Sequence, residues 1–224
     1  MTRIVRGVGW TLVVAGSVVL LYVVYLLWFT DLSTNAAQRE LAEAWQREVE
    51  VADSPGVEAD DEPDAATEPD DDDEAPAVDA GEGYAALWFE RDGEPVVAAD
   101  VLYVVEGVAV PDLKLGPGHY PDSAAPGEDG NLAIAGHRTT YGRPFWALDD
   151  LREGDRIHVV DRDGTEWVYA YREQRIVAPG DVWVVGDDPR GTGEPTITLT
   201  TCHPLFSAAQ RLIVWGELVD DPAA

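Results

Sequence analysis

Cysteine is almost absent from this 224-residue chain: Cys202 is the only one. A lone thiol excludes an internal disulfide, so the fold must be held by packing and hydrogen bonding. Positive charge is scarce as well. Fifteen Lys and Arg stand against 43 Asp and Glu, for a formal net charge of −28 and a pI near 4.1. Such a chain repels phosphate backbones and anionic headgroups, which argues against nucleic-acid binding. Internal repeats are missing, and no ligand spacing compels a metal site, so neither metal nor cofactor is expected. What remains is 46% hydrophobic, enough for one real core plus appendages.

Charge is missing altogether from one stretch. Residues 7–29, "GVGWTLVVAGSVVLLYVVYLLWF", carry 23 uncharged positions in a row. About 20 such residues span the hydrocarbon core as a helix. Arg3 and Arg6 precede the run and Asp31 follows it, which predicts residues 1–6 in the cytoplasm and the remainder outside. The run is longer than a signal-peptide core and no A-x-A-like site directly follows, so an uncleaved anchor is expected. Residues 30–49 read as a juxtamembrane helix. Residues 50–83 read as a disordered acidic linker. Glu50 to Asp79 holds fourteen Asp and Glu, no Lys or Arg and no aromatic residue, so it lacks the apolar surface to fold. Its expected job is a spacer from the membrane, with loose cation binding at most.

Residues 84–224 have globular composition. Strand-like runs appear in "DVLYVVEGV", "NLAIAG", "RIHVVDRDGTEWVYAYREQRIV", "TITLTT" and "RLIVWGELV". Asp163-Gly164 inside the third is a hairpin signal. One short helix is expected at Phe145 to Leu151. The domain reads as all-β, closed or partly closed.

Cys202 ends the alternating run "TITLTTC", before His203 and Pro204 break the strand. A free cysteine is commonly a small buried hydrophobe, but a thiol at a strand end on a rim is accessible. To act as a nucleophile it needs help, since only a few per cent is thiolate at neutral pH. Four histidines are on offer. His158 reads as a surface residue in a strand, and His119 lies on a turn. His203 adjoins the thiol but points to the opposite face. His137 ends the apolar run "NLAIAG", the same kind of position as Cys202. Arg211 opens the next strand after the short connection "HPLFSAAQ", which makes the two strands neighbours and brings a guanidinium toward the thiol.

"TLTTC" followed by an arginine on the next strand, together with "GPGHYPDSAAPGEDGNLAIAGHRTTYGRPFWALDDLREGD", resembles the sortase family of membrane-anchored cysteine transpeptidases. "TTCHPLFSAAQRLIVWGEL" is most similar to the class E group. The resemblance covers roughly Val104 to Leu218. Asp122-Ser123 departs from the family's usual Gly-Thr, and the family's Ile-Pro opening is followed only loosely. The resemblance implies a closed eight-stranded β-barrel with Cys202 as nucleophile, His137 as acid and base, and Arg211 as oxyanion and substrate group. In family terms Tyr120 and Thr201 line the peptide groove. The implied partners are surface proteins with a C-terminal sorting signal of the Leu-Ala-x-Thr-Gly or Leu-Pro-x-Thr-Gly kind, and an amine acceptor on the cell envelope or a pilin. A cysteine hydrolase using the same residues, or a non-catalytic membrane-tethered β module, are the alternatives. The Ser-His-Gly-Cys-like motif of a cell-wall L,D-transpeptidase is missing.

Overall fold

The structure, a computed structural model, describes residues 2–52 and 78–219, without the side chains of 2, 4, 5, 23, 24, 26–30 and 48–52. Helix α1 runs from Thr2 to Ala52 as one element, where the sequence suggested two helices divided near residue 30. Among the described residues no helix is long and apolar enough to cross a membrane. The disordered linker expected at 50–83 lies mostly outside the described residues: 50–52 close α1, and Gly83 opens the first strand.

Nine strands follow: β1 (Gly83–Arg91), β2 (Glu94–Pro95), β3 (Leu102–Glu106), β4 (Gly118–His119), β5 (Asn131–Ala135), β6 (Arg156–Val160), β7 (Glu166–Val177), β8 (Thr196–His203) and β9 (Gln210–Leu218). They hydrogen-bond in the order β2-β1-β3-β4-β5-β8-β9-β7-β6, and β1 also pairs with β6. That last pairing closes an eight-stranded ring, with the short β2 hairpinned onto β1 outside it. Closure removes the open edges that would otherwise invite aggregation. Two neighbours are parallel, β3 with β4 and β5 with β8; the others are antiparallel.

Strand β1 has no counterpart in the alternation of the sequence. "GYAALWFER" is buried on both faces through its middle: Ala85, Leu87 and Phe89 join the inner core, while Trp88 on the other face stacks on His158. A strand covered on both sides loses the period-two pattern that announces a half-buried one. The same holds for β8. Its residues are buried on both faces up to Thr201, and only Cys202 and His203 emerge, whereas the sequence suggested one exposed face. The helix expected at Phe145 to Leu151 is a single 3-10 turn at Leu148–Asp150. Phe145, Leu148 and Leu151 are all in the core, at the spacing of three that suits a 3-10 turn. The Asp163-Gly164 turn does join β6 to β7, with Gly164 at φ +81°.

Inside the ring, Leu132, Ile134, Ile197, Leu199, Leu212 and Val214 pack with Phe89, Phe145 and Tyr169. Outside it, Ile213 and Trp215 of β9 are covered by Val184 of the 3-10 turn at Val182–Val185. The carboxyl-terminal half of α1 lies on the barrel. Trp45 is buried, and Gln38 donates to the carbonyls of Tyr103 (2.8 Å) and Leu115 (3.0 Å) while accepting the Tyr103 N–H. Trp45 lies 3.7 Å from where a Cβ on Gly83 would be. Trp45 of α1 and Gly83 of β1 are therefore neighbours in space.

Candidate active site

Strand β8 lies between β5 and β9, and its register with both positions the three residues singled out from the sequence. Along the parallel β5–β8 ladder each partner on β8 follows its β5 residue at a constant offset, from Asn131↔Thr196 to Ala135↔Thr200. That offset of 65 continues past the end of β5. The Gly136 N–H donates to the Thr200 carbonyl at 3.0 Å. Thr201 Oγ1 donates to the Gly136 carbonyl at 2.7 Å, and Arg138 Nη1 to His203 Nδ1 at 3.0 Å, both pairs 65 positions apart. His137 and Cys202 are the pair between these two. On the other side, Cys202 and Arg211 are direct partners across the antiparallel β8–β9 pair.

Alternation then assigns faces. Ile197, Leu199, Leu212 and Val214 point into the ring, so Thr201 shares the inner face and Cys202 the outer. Arg211 falls on the outer face with Ile213 and Trp215. His137 falls with Ala133 and Ala135, opposite the inward Leu132 and Ile134. The three residues thus occupy one face at one edge of three adjacent strands, with the thiol in the middle.

Cys202 is free and half-buried. The His137 ring is half-buried, tilted against Tyr141 at a centroid distance of 4.9 Å. Burial, reinforced by the Lys114 ammonium, holds its pKa below the ordinary histidine value, so the neutral imidazole is favoured at neutral pH. The Arg211 guanidinium lies at the surface, where Nη1 donates to the carbonyls of Ala208 and Gln210, both at 3.0 Å.

Tyr120 follows β4, its N–H bonded to the Ala133 carbonyl, and its hydroxyl is 3.3 Å from Thr200 Oγ1. It lies across β5 on the side that carries Cys202. Thr201 does not. Its side chain is buried on the inner face, its hydroxyl spent on Gly136, so it joins β8 to β5 beneath the rim.

Several side chains lie differently from the sequence reading. Arg138 is buried beside the site, salt-bridged to Asp149 at 2.5 Å and bonded to His203 and the Trp146 carbonyl. The adjacency of Arg138 to His137 was visible; its burial was not. His119, read as a turn residue, is buried. Its Nδ1 meets Glu106 at 2.8 Å, its Nε2 meets Ser123 Oγ at 2.9 Å, and its ring stacks on Tyr84 at 3.9 Å. This alignment looks like a hydrolytic triad, but the Ser123 hydroxyl donates to the Tyr120 carbonyl and accepts the Ala133 N–H. It braces Tyr120. His158 is not on the surface either: it is buried, stacked on Trp88 and bonded to Glu166 at 2.7 Å.

A cavity of about 500 Å³ lined by Asp122, Glu128, Asp187 and Glu194 opens at Asn131, the end of β5 away from His137. Among the described residues no group of three or more His, Cys, Asp or Glu is arranged to hold a metal ion.

Comparison with known proteins identifies the family. The sortase domain family model matches residues 96–219. Sortase SrtE2 of Streptomyces coelicolor is 30% identical over 96% of this chain and 82% of its own length. Sortase SrtE1 of the same organism is 30% identical over 96% of this chain, which spans only 57% of that longer relative. Among solved structures, sortase E of Streptomyces avermitilis superposes with a TM-score of 0.54 at 36% identity, covering 63% of this chain and 91% of that one. The matched segment contains β3 to β9 and all of the strand ends described above, and on these grounds the chain belongs to the sortase family.

Proposed function

We propose that this protein is an extracytoplasmic cysteine transpeptidase. It cleaves a C-terminal sorting signal through a thioester on Cys202 and passes the acyl group to an amine at the cell surface. The observation that carries the reading is the shared edge: a single register across β5, β8 and β9 sets an imidazole and a guanidinium on either side of the sole thiol.

The chemistry follows from the groups. Neutral His137 takes the Cys202 proton as sulfur adds to the carbonyl carbon of the signal's Thr-Gly bond. Negative charge gathers on the carbonyl oxygen, where the Arg211 guanidinium and backbone N–H groups stabilise it. The C–N bond breaks, the His137 imidazolium gives its proton to the departing glycine amine, and a thioester remains. An acceptor amine then adds to the thioester carbon, His137 takes a proton from it, and Cys202 leaves as thiolate before regaining its proton. No carboxylate is needed to complete the pair. Tyr120 belongs to the wall of the peptide groove, while Thr201 serves through the β5–β8 join.

The class E resemblance favours alanine over proline at the signal's second position. The structure of sortase E1 from S. coelicolor with a tripeptide in its active site, 31% identical to this chain, is in keeping with a peptide substrate. The anchor is residues 7–29, with 1–6 inside and the barrel outside; the charge pattern around that run supports this. The signal-bearing substrate would be held at the same membrane, and the acceptor is an envelope or pilin amine.

The test is direct. The full chain is mixed with a Leu-Ala-x-Thr-Gly peptide and a glycine-terminated amine, and products are read by mass spectrometry. The ligated peptide is expected, with a Leu-Pro-x-Thr-Gly peptide used less well and the Cys202→Ala variant forming neither adduct nor product. Hydrolysis alone, with the amine ignored, would replace transfer by a protease activity. Ligation by Cys202→Ala would remove the scheme.

A further inference from the structure

Helix α1, which lies outside the residues matched by the family model, touches the loop that follows His137. Asp31 Oδ1 accepts the Gly142 N–H at 3.0 Å, and Oδ2 pairs with the Arg143 guanidinium at 3.2 Å. One turn further on, Thr34 is buried. Its hydroxyl donates to the Lys114 carbonyl at 2.8 Å, and its methyl lies 3.1 Å from where a Cβ on Gly142 would be. The Lys114 ammonium in turn sits 5.7 Å over the ring of Tyr141, the ring that packs on His137.

The loop backbone needs such support. Tyr141, Gly142 and Arg143 have φ of +52°, +74° and +53°. Glycine accepts the left-handed region freely, but for tyrosine and arginine it is disfavoured and persists only where the surroundings over-determine it. Within the loop, Arg143 is held by its N–H bond to the Thr140 carbonyl and by its guanidinium over the Trp146 ring at 5.7 Å. The Arg143 carbonyl also accepts the Trp146 N–H at 3.1 Å, and α1 adds the bonds from Asp31 to the Gly142 N–H and the Arg143 guanidinium.

We propose that Asp31 is a positioning residue: by clamping Gly142 and Arg143 it fixes the loop that lays Tyr141 on His137, so that chemistry at Cys202 depends on α1 being seated. The proposal rests on the reading of His137 as the acid and base. Asp31 touches no substrate; it acts through the loop. The charged and titratable groups around His137 include Lys114 beyond α2 (Val110–Leu113), Tyr141, Arg138, Asp149 and Arg143 on its own segment, Cys202, His203 and Arg211 on the neighbouring strands, and Asp31 on α1.

The experiment uses the full chain and three variants. Asp31→Ala removes both bonds, Asp31→Asn keeps an oxygen for the Gly142 N–H, and Glu40→Gln alters an exposed position on the same helix. Two quantities are measured: kcat and KM on a sorting-signal peptide, and the titration of the His137 ring by NMR. Asp31→Ala is expected to lower kcat about tenfold with little change in KM, the scale on which lost positioning acts. The His137 titration should move up toward its ordinary value as the ring becomes wetter. Asp31→Asn should fall between, and Glu40→Gln should match the parent. A His137 titration unchanged in a folded Asp31→Ala protein overturns the proposal, as does an equal loss in Glu40→Gln. If Asp31→Ala fails to fold, the same comparison is made with Asp31→Asn. Should the parent protein ligate no peptide, the proposed reaction fails while the titration still decides the clamp.

Discussion

Among the three residues on the shared edge, the guanidinium is the one whose geometry matters most beyond its charge. Arg211 is held by the carbonyls of Ala208 in the loop and Gln210 at the start of β9, which aim a planar fork with several N–H donors. Lysine supplies a compact point charge without that planar fork, so it does not reproduce the same aim toward an oxyanion. Arg211→Lys is therefore expected to lower kcat by roughly a hundred- to a thousandfold, the usual cost of losing an oxyanion donor, with folding intact by circular dichroism. His137 allows a second prediction through its depressed pKa. The unfolded chain binds this proton near pH 6.5 and the folded chain only at lower pH. The contribution is thus fully present above the unfolded value and is lost as pH falls through the folded one. Stability should decline on acidification below about pH 6.5 in the parent, and His137→Gln should show a shallower decline in denaturant unfolding, besides having no turnover. Both residues were legible as candidates from their positions at strand ends. The inward turn of Thr201 was not, because its role depends on which face of β8 the ring covers.

Elements, rather than residues, set the distance between His137 and Cys202. His137 lies beyond the last ladder pair of β5, so its height relative to Cys202 depends on how firmly the two chains are joined past that point. Three bonds do this: Gly136 N–H to the Thr200 carbonyl, the Thr201 hydroxyl to the Gly136 carbonyl, and Arg138 Nη1 to His203 Nδ1. Gly136 has no spare room, since a Cβ there would lie 2.5 Å from the buried Phe145 ring. Thr201→Val keeps the shape and strands a buried carbonyl, which costs about 1–3 kcal/mol. The expected result is a lower melting temperature together with a reduced kcat and little change in KM. A rise in KM alone would instead mark Thr201 as a substrate contact. At this scale the sequence was an uneven guide. Strands β5 to β9 each coincide with a run of apolar alternation or β-branched residues. Strand β1 escaped because burial on both faces erased its period, and the expected helix at Phe145 to Leu151 shrank to one turn because its apolar spacing is three.

For the molecule as a whole, the decisive contact is the pairing of β1 with β6 that closes the ring. Arg91, the last residue of β1, reaches the turn before β6. Its Nε and Nη2 each lie 2.6 Å from the Asp155 carboxylate, and Nη2 also donates to the Asp150 carbonyl. Burial pushes the Asp155 carboxyl up, but the hydrogen bonds from Arg91 and the Arg152 N–H outweigh it and leave its pKa below the ordinary aspartate value. Its stabilising contribution is present above the unfolded pKa and is lost as pH falls through the folded one. Asp155→Asn should lower the melting temperature at neutral pH and flatten the loss of stability in acid, as measured by calorimetry across pH. By itself the sequence determined what local pattern and composition dictate: an all-β domain with an apolar amino-terminal run, an acidic segment too polar to build a core, and strand ends bearing one thiol, one imidazole and one guanidinium. Only the tertiary structure decided that β8 sits between β5 and β9 at a fixed offset, that Thr201 faces inward, and that α1 comes back to grip the loop after His137. Those are facts of register and long-range packing, set by which strands lie side by side once the ring closes, and no short stretch of chain encodes them.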